Sequence, residues 1–226
     1  MQTIMQLSEE NINKYNLLYN SRFQKFGYSP KTLGWYTGKQ NMRFELASKD
    51  IDLKNKTICD VGCGFSDFYV YLCKRNKDVI YTGVDVNSLL LNEAVENIKH
   101  NDLPQPQLIH GDFLNKSISG EFDVVVALGV CSLLLSGQDN YQYIESIISK
   151  GFSMSKSVFV IDFCSEYFEG HTSSYGYSYD PIKVLKIAYK FTQRLVLIND
   201  YFPTEFMVKM YKDKNYNNSF IYNSYR

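Results

Sequence analysis

Two hydrophobic periods divide the chain. Up to residue 50 the spacing is helical: Ile12, Tyr15 and Tyr19 fall at i, i+3 and i+7 on one face of a helix begun near Ser8. After the turn-like Gly27-Tyr28-Ser29-Pro30, Thr37-x-x-Gln40 reads as a capping box, with Met42 and Leu46 a turn apart behind it. This extension, residues 1–50, is expected to be a packing arm or a lid. From residue 57 strands and helices alternate. Residues 58–61 form a first strand, and Phe68, Tyr71 and Leu72 then repeat at helical spacing. A second strand over 79–86 leads to a helix capped by Asn87 or Ser88, whose face is Leu91, Ala94, Val95 and Ile98. A short strand over 107–109 follows, and then the continuous apolar run 122–128, the pattern of a central parallel strand buried on both faces. Tyr141, Ile144 and Ile148 mark another helix, and 158–163 a fifth strand.

Residues 170–179 break the pattern, rich in Gly, Ser and Tyr, and read as a long loop of the kind that carries function, with Tyr175, Tyr177 and Tyr179 available to wall a pocket. Asp180 and Pro181 then start a helix with Ile182, Leu185 and Tyr189 as its inner face. Strands over 195–198 and 206–211 are joined by so short a turn at Pro203 that they must run antiparallel. The expected organisation is one domain over 1–226, with a core at 55–211 and a polar, aromatic tail at 212–226.

Composition removes several partners. Lys plus Arg and Asp plus Glu are both 24, so no long-range field draws the chain to nucleic acid or anionic lipid. The five cysteines lack C-x-x-C spacing, which suits a reducing, cytoplasmic setting. The first ten residues have neither the basic flank nor the apolar core of a secretory signal. The longest apolar stretch, 124–135, is interrupted by Gly129 and Ser132 and is shorter than the ~18 residues of a membrane span, so no membrane partner is expected. His100, His110 and His171 have no second ligand at metal spacing, so no metal is expected. Oligomeric state is not legible.

The chemistry gathers at strand ends. Residues 57–68, T-I-C-D-V-G-C-G-F-S-D-F, carry Asp60 two residues ahead of Gly62, then Gly64, then a helix start. Such glycines let a ligand approach the backbone beside a helix N-terminus. Asp85 ends the second strand and Asp112 follows the third, so acids recur at three successive ends, where open parallel sheets bind ligands. Asp85 is placed to accept both hydroxyls of a ribose and Asp112 an adenine amine, while Asp60 suits a cation rather than a pyrophosphate. S-adenosylmethionine, an adenosine joined to a positively charged group, meets all three. A dinucleotide motif at 62–67 would put Asp67 where glycine or alanine is expected. An NAD-dependent oxidoreductase stands as the poorer alternative.

D-V-G-C-G-F-S at 60–66, V-D-V-N at 84–87, G-D-F at 111–113 and F-D-V-V-V-A-L-G at 122–129 together resemble class I S-adenosylmethionine-dependent methyltransferases over residues 55–211. G-W-Y-T-G-K-Q-N-M-R-F at 34–44 and L-V-L-I-N-D-Y-F-P-T-E-F at 195–206 are similar to a bacterial small-molecule branch of that class. The resemblance implies a Rossmann-like α/β fold: a seven-stranded, mostly parallel sheet with the last strand antiparallel, helices on both faces and an N-terminal helical extension. It implies that Asp60, Gly62, Cys63 and Gly64 line the methionine end of the cofactor, Asp85 and Val86 the ribose, and Asp112 and Phe113 the adenine. Leu128 and Gly129 would lie beside the sulfonium. Trp35 and Arg43 match the N-terminal pattern, with Arg43 pairing the cofactor carboxylate. Ser66 stands where the family has a third glycine and is expected to cap the following helix. Asn199-Asp200-Tyr201 replaces the His-Asp-Tyr of the branch.

Cys131 follows Val130 rather than the proline of a pyrimidine C5 methyltransferase, and no Asn-Pro-Pro-Tyr signature ends the fourth strand. Nucleic-acid bases are therefore not the expected acceptor. The reading is methyl transfer to an O or N nucleophile of a small metabolite or sugar-containing intermediate, with His171, Asp200 and Tyr201 as candidate bases for a hydroxyl. A protein that binds the cofactor without turnover, acting as a regulatory partner, is the other alternative.

Overall fold

In the computed structural model, residues 4–35, 38–75, 78–118, 120–168 and 176–213 are described. At the centre is a sheet of seven strands: β1 (Thr57–Val61), β2 (Ile80–Asp85), β3 (Gln107–His110), β4 (Phe122–Ala127), β5 (Ser155–Cys164), β6 (Leu195–Ile198) and β7 (Glu205–Tyr211). Their order is β3-β2-β1-β4-β5-β7-β6. The first five pair in parallel, and β7 runs antiparallel to both β5 and β6. The order reverses between β1 and β4, which opens a crevice at the carboxyl ends of those strands. Insertion of an antiparallel β7 also departs from the 3-2-1-4-5-6 order of dinucleotide-binding sheets.

The pleat sorts each strand into two layers, as a two-residue period requires. Ile58, Val124, Val126, Val158 and Val160 face α2 (Lys39–Ser48), α3 (Asp67–Cys73) and α4 (Ser88–His100), packing with Phe44, Leu72 and Ile98. On the other face Cys59, Val125, Ala127, Phe159 and Ile161 pack with α1 (Glu9–Phe26), α5 (Asn140–Met154) and α6 (Pro181–Ala188) through Tyr15, Ile144 and Val184. Among the described residues no helix is long and apolar enough to cross a membrane.

Two helices differ from their sequence reading. In α6 the buried face is Val184, Ile187 and Ala188, whereas Ile182 is 52% and Tyr189 57% exposed. The segment is apolar on several faces, so spacing alone leaves its phase open, and packing against α5 and β7 selects it. The expected capping box of α2 does not form at its glutamine end: Gln40 donates its amide to Asp67 Oδ2 (2.7 Å), and the N-cap is Gly38 in a left-handed conformation. Thr37 lies outside the described residues. The inner face of α2 is Phe44 and Ala47, with Met42 exposed.

The N-terminal extension is fastened over the carboxyl ends of the sheet. Ser8 caps α1, accepting from the Asn11 N–H. Asn11, fully buried, donates from Nδ2 to the Ser136 carbonyl (3.0 Å) and Gln138 Oε1 (2.8 Å), and its Oδ1 accepts from the Ser136 N–H (2.8 Å). Just before α1, the Leu7 N–H donates to Asp112 Oδ2 (3.1 Å).

Candidate functional site

Under that arm lies a cavity of about 930 Å3, counted to its open mouth. Its floor is the turn after β1. The Gly62 and Cys63 N–H groups donate to the Val84 carbonyl (2.7 and 3.1 Å), tying the turn to β2. Gly62 has φ +70°, and a Cβ there would stand 2.6 Å from Val130 Cγ2. Only glycine fits such a position. Ser66 is also left-handed, at φ +55°. In that conformation its side chain makes no cap hydrogen bond to α3, contrary to the capping role expected of it.

Four carboxylates, Asp60, Asp67, Asp85 and Asp112, line this cavity, and among the described residues no lysine, arginine or histidine does. Asp60 is buried at the end of β1 and accepts from the Tyr81 phenol (2.5 Å). Burial pushes its carboxyl up to about 7, the Tyr81 bond pulls against this, and the neighbouring Asp85 adds to the rise. Asp85 accepts the Gly64 N–H on Oδ2 and the Asn87 N–H on Oδ1, both at 2.8 Å. Burial raises it, and those two N–H groups oppose the rise. Asp112 is raised by burial too, against the N–H groups of Leu114 and Leu7. The Asp112 loop is pinned from α5, where Lys150 Nζ donates to the Phe113 (2.5 Å) and Lys116 (2.8 Å) carbonyls. A pocket with four acids and no base attracts a cation or a ligand rich in O–H and N–H donors and repels a pyrophosphate.

Trp35, Asp60, Gly62, Cys63, Gly64, Asp85, Val86, Asp112, Phe113, Leu128 and Gly129, all expected at the cofactor, line this one cavity. Arg43 does not. Its guanidinium lies 3.8 Å over the Trp35 ring and is taken by Glu205 (Nε to Oε2 2.8 Å, Nη2 to Oε1 2.5 Å) and by Asp162 Oδ2 (3.1 Å). The carboxylate partners expected from a cofactor are thus supplied by the protein.

The candidate bases are dispersed. Asp200 is exposed and lines no described cavity. The Tyr201 hydroxyl is buried without a hydrogen-bond partner among the described residues, and burial, then Asp162 and Glu205, raises its pKa further. A phenol so placed stays protonated near neutral pH. His171 and Tyr175 lie outside the described residues. Among the described residues no cluster of His, Cys, Asp and Glu is arranged for a metal.

Sequence reading missed Tyr15 and Tyr19 of α1, Leu33, Gln40 and Tyr143 of α5, all in the cavity wall. The helical stripe of Tyr15 and Tyr19 was visible, but nothing in its spacing says that the stripe faces a ligand rather than a core.

A second cavity of about 610 Å3 adjoins the first, sharing Leu33, Trp35 and Gly129 in its walls. Its charged lining is Lys39, Arg43, Asp162 and Glu205. Asp162 Oδ1 accepts from the Gly129 N–H at 2.6 Å, so the second cavity touches the first at the end of β4.

Residues 59–150 match the model of a family described as a methyltransferase domain. Ribosomal protein L11 methyltransferase of Helicobacter pylori is 36% identical over 99 residues, 42% of this chain and 28% of that protein. The chain therefore spans little more than a quarter of the length of that relative. Magnesium protoporphyrin IX methyltransferase from Synechocystis PCC 6803, solved with bound SAH, superposes with a TM-score of 0.66 at 15% identity, over 90% of this chain and 98% of that one. An S-adenosylmethionine-dependent methyltransferase from Clostridium acetobutylicum gives 0.52 at 14% identity, over 87% and 97%. At such identities these structures share the fold.

Proposed function

From the premise that this chain carries a methyltransferase domain in the class I S-adenosylmethionine-dependent methyltransferase fold, we propose that it transfers the methyl group of S-adenosylmethionine to an oxygen or nitrogen nucleophile of a small metabolite. The observation that carries the reading is the charge of the main cavity: four carboxylates, with no cation in its lining among the described residues. That acceptor set suits a ligand with an ammonium, a sulfonium, two ribose hydroxyls and an adenine amine, and it does not suit the pyrophosphate of NAD. Asp60 would hold the ammonium, Asp85 the ribose, and Asp112 with Phe113 the adenine. Leu128 and Gly129 would flank the sulfonium. When bound, the cofactor supplies an electrophilic methyl group.

The chain's own part is to position and to exclude water. Gly62 lets the ligand approach the backbone, Asp85 braces the turn through the Gly64 N–H, and the α1 arm covers the pocket with Tyr15 and Tyr19. Alignment of nucleophile and methyl group is then a large share of the barrier. Support for a small acceptor is the second cavity, which adjoins the first beside Gly129. The test is to incubate the chain with methyl-labelled S-adenosylmethionine and a bacterial extract separated by size. Label is expected in the small-molecule fraction, and label only in protein or nucleic acid would contradict the reading.

A further inference from the structure

The second cavity meets the first at Trp35 and Gly129, where the transferable methyl group lies if the reading above is right; the inference rests on that reading. We propose that this cavity seats the methyl acceptor, that the acceptor is a neutral polyol, and that Asp162 takes the proton of the hydroxyl being methylated.

Charge selects the class of acceptor. Among the described residues the lining holds two cations, Lys39 and Arg43, against two acids, Asp162 and Glu205. Arg43 grips both oxygens of Glu205, and Lys39 Nζ lies 3.6 Å from the same carboxylate. Charges within the cavity are therefore balanced before any ligand enters. An ammonium or a carboxylate would add an uncompensated charge beside the buried Asp162 and Glu205 carboxylates, whereas a neutral molecule adds none. Hydroxyls supply the donors that Asp162 and Glu205 can accept, and the Trp35 and Phe163 side chains offer apolar wall to ring carbons.

A neutral hydroxyl is a weak nucleophile and needs a base within hydrogen-bond reach. Asp162 is the carboxylate with capacity left. Its Oδ1 accepts from the Gly129 N–H, and its Oδ2 has only the longer share of the Arg43 Nε–H, 3.1 Å against 2.8 Å to Glu205. Burial also holds the Asp162 carboxyl above its ordinary range, with Arg43 opposing. In the transfer the acceptor oxygen forms a bond to the methyl carbon and the carbon–sulfur bond breaks. The electron pair of that bond stays on sulfur, leaving a neutral thioether, and the hydroxyl proton passes to Asp162 Oδ2.

Three probes of one ring size test the assignment on the chain loaded with S-adenosylhomocysteine: methyl α-glucopyranoside (neutral), glucosamine (ammonium) and glucuronate (carboxylate), followed by saturation-transfer NMR. Binding of the glucoside at least tenfold tighter than either charged probe is expected, with its loss in Ser132→Leu, which fills the second cavity. S-adenosylhomocysteine affinity should be unchanged in that variant. Asp162→Asn, which keeps an acceptor for the Gly129 N–H, should lower methyl transfer to bound glucoside about 100-fold or more, well beyond any change in glucoside affinity. Equal or tighter binding of a charged probe, no binding of the glucoside, or binding indifferent to Ser132→Leu overturns the proposal. So does full transfer in Asp162→Asn, and should that variant not fold, the Ser132→Leu result decides. A wild-type chain that fails to bind S-adenosylhomocysteine would instead defeat the cofactor reading beneath it.

Discussion

Asp60 shows how one side chain sets a measurable property of the site. Its carboxyl, raised by burial to about 7, is neutral in the empty pocket at mildly acidic pH. A cationic ligand requires it ionised, so binding below that value must first expel a proton. Cofactor affinity should therefore fall as pH drops below 7, by up to about tenfold per unit. It should level off above 7. Calorimetric titrations with S-adenosylhomocysteine between about pH 5.5 and 7.5 in buffers of different ionisation enthalpy would show the affinity change and the released proton; a flat profile would mean that Asp60 does not face the cation. Ser66 gives a second expectation. A non-glycine residue at φ +55° carries a left-handed penalty, partly offset by the lower unfolded-state entropy of serine relative to glycine. Ser66→Gly should stabilise the fold by about 0.5–1 kcal/mol in urea unfolding. The acids and glycines were legible in sequence because each sits at a fixed offset from a strand end. The partners of Arg43 were not, since Asp162 and Glu205 lie far along the chain on β5 and β7, and no local spacing predicts their meeting.

At the scale of elements, β1, β2, β4 and β5 were legible because a buried parallel strand has a continuous apolar signature that helices and loops lack. Phase was harder. In α6 Ile182, Val184, Leu185, Ile187 and Ala188 leave two faces equally apolar, and the neighbours choose between them. What fastens α1 escaped the sequence, because Asn11 is polar and lies outside the apolar stripe of Ile12, Tyr15 and Tyr19. Its buried amide replaces water for the backbone of Ser136 and for Gln138. Asn11→Ala should cost about 2–3 kcal/mol, since several buried polar groups lose their partner. Because the arm supplies Tyr15 and Tyr19 to the pocket, S-adenosylhomocysteine affinity should weaken in parallel. A variant that loses stability but binds normally would show that α1 packs on the body without shaping the site.

For the whole molecule, the sheet order places β1, β2 and β4 side by side, so acids separated by dozens of residues converge on one crevice. The reversal between β1 and β4 is what makes the crevice, and the crossover helices on both faces leave the carboxyl ends open to it. Charge completes the selection, since four carboxylates, with no cation beside them among the described residues, disfavour the anionic ligands that the same topology holds elsewhere. The most direct measurement is a calorimetric titration of the chain with S-adenosylhomocysteine and with NAD, repeated on Asp85→Asn. One molecule of S-adenosylhomocysteine should bind per chain and NAD should not, and the variant, which keeps one acceptor for the Gly64 turn, should lose about 1.5–3 kcal/mol of affinity. Binding of NAD alone, or unchanged S-adenosylhomocysteine affinity in a folded Asp85→Asn variant, would contradict the assignment of this pocket.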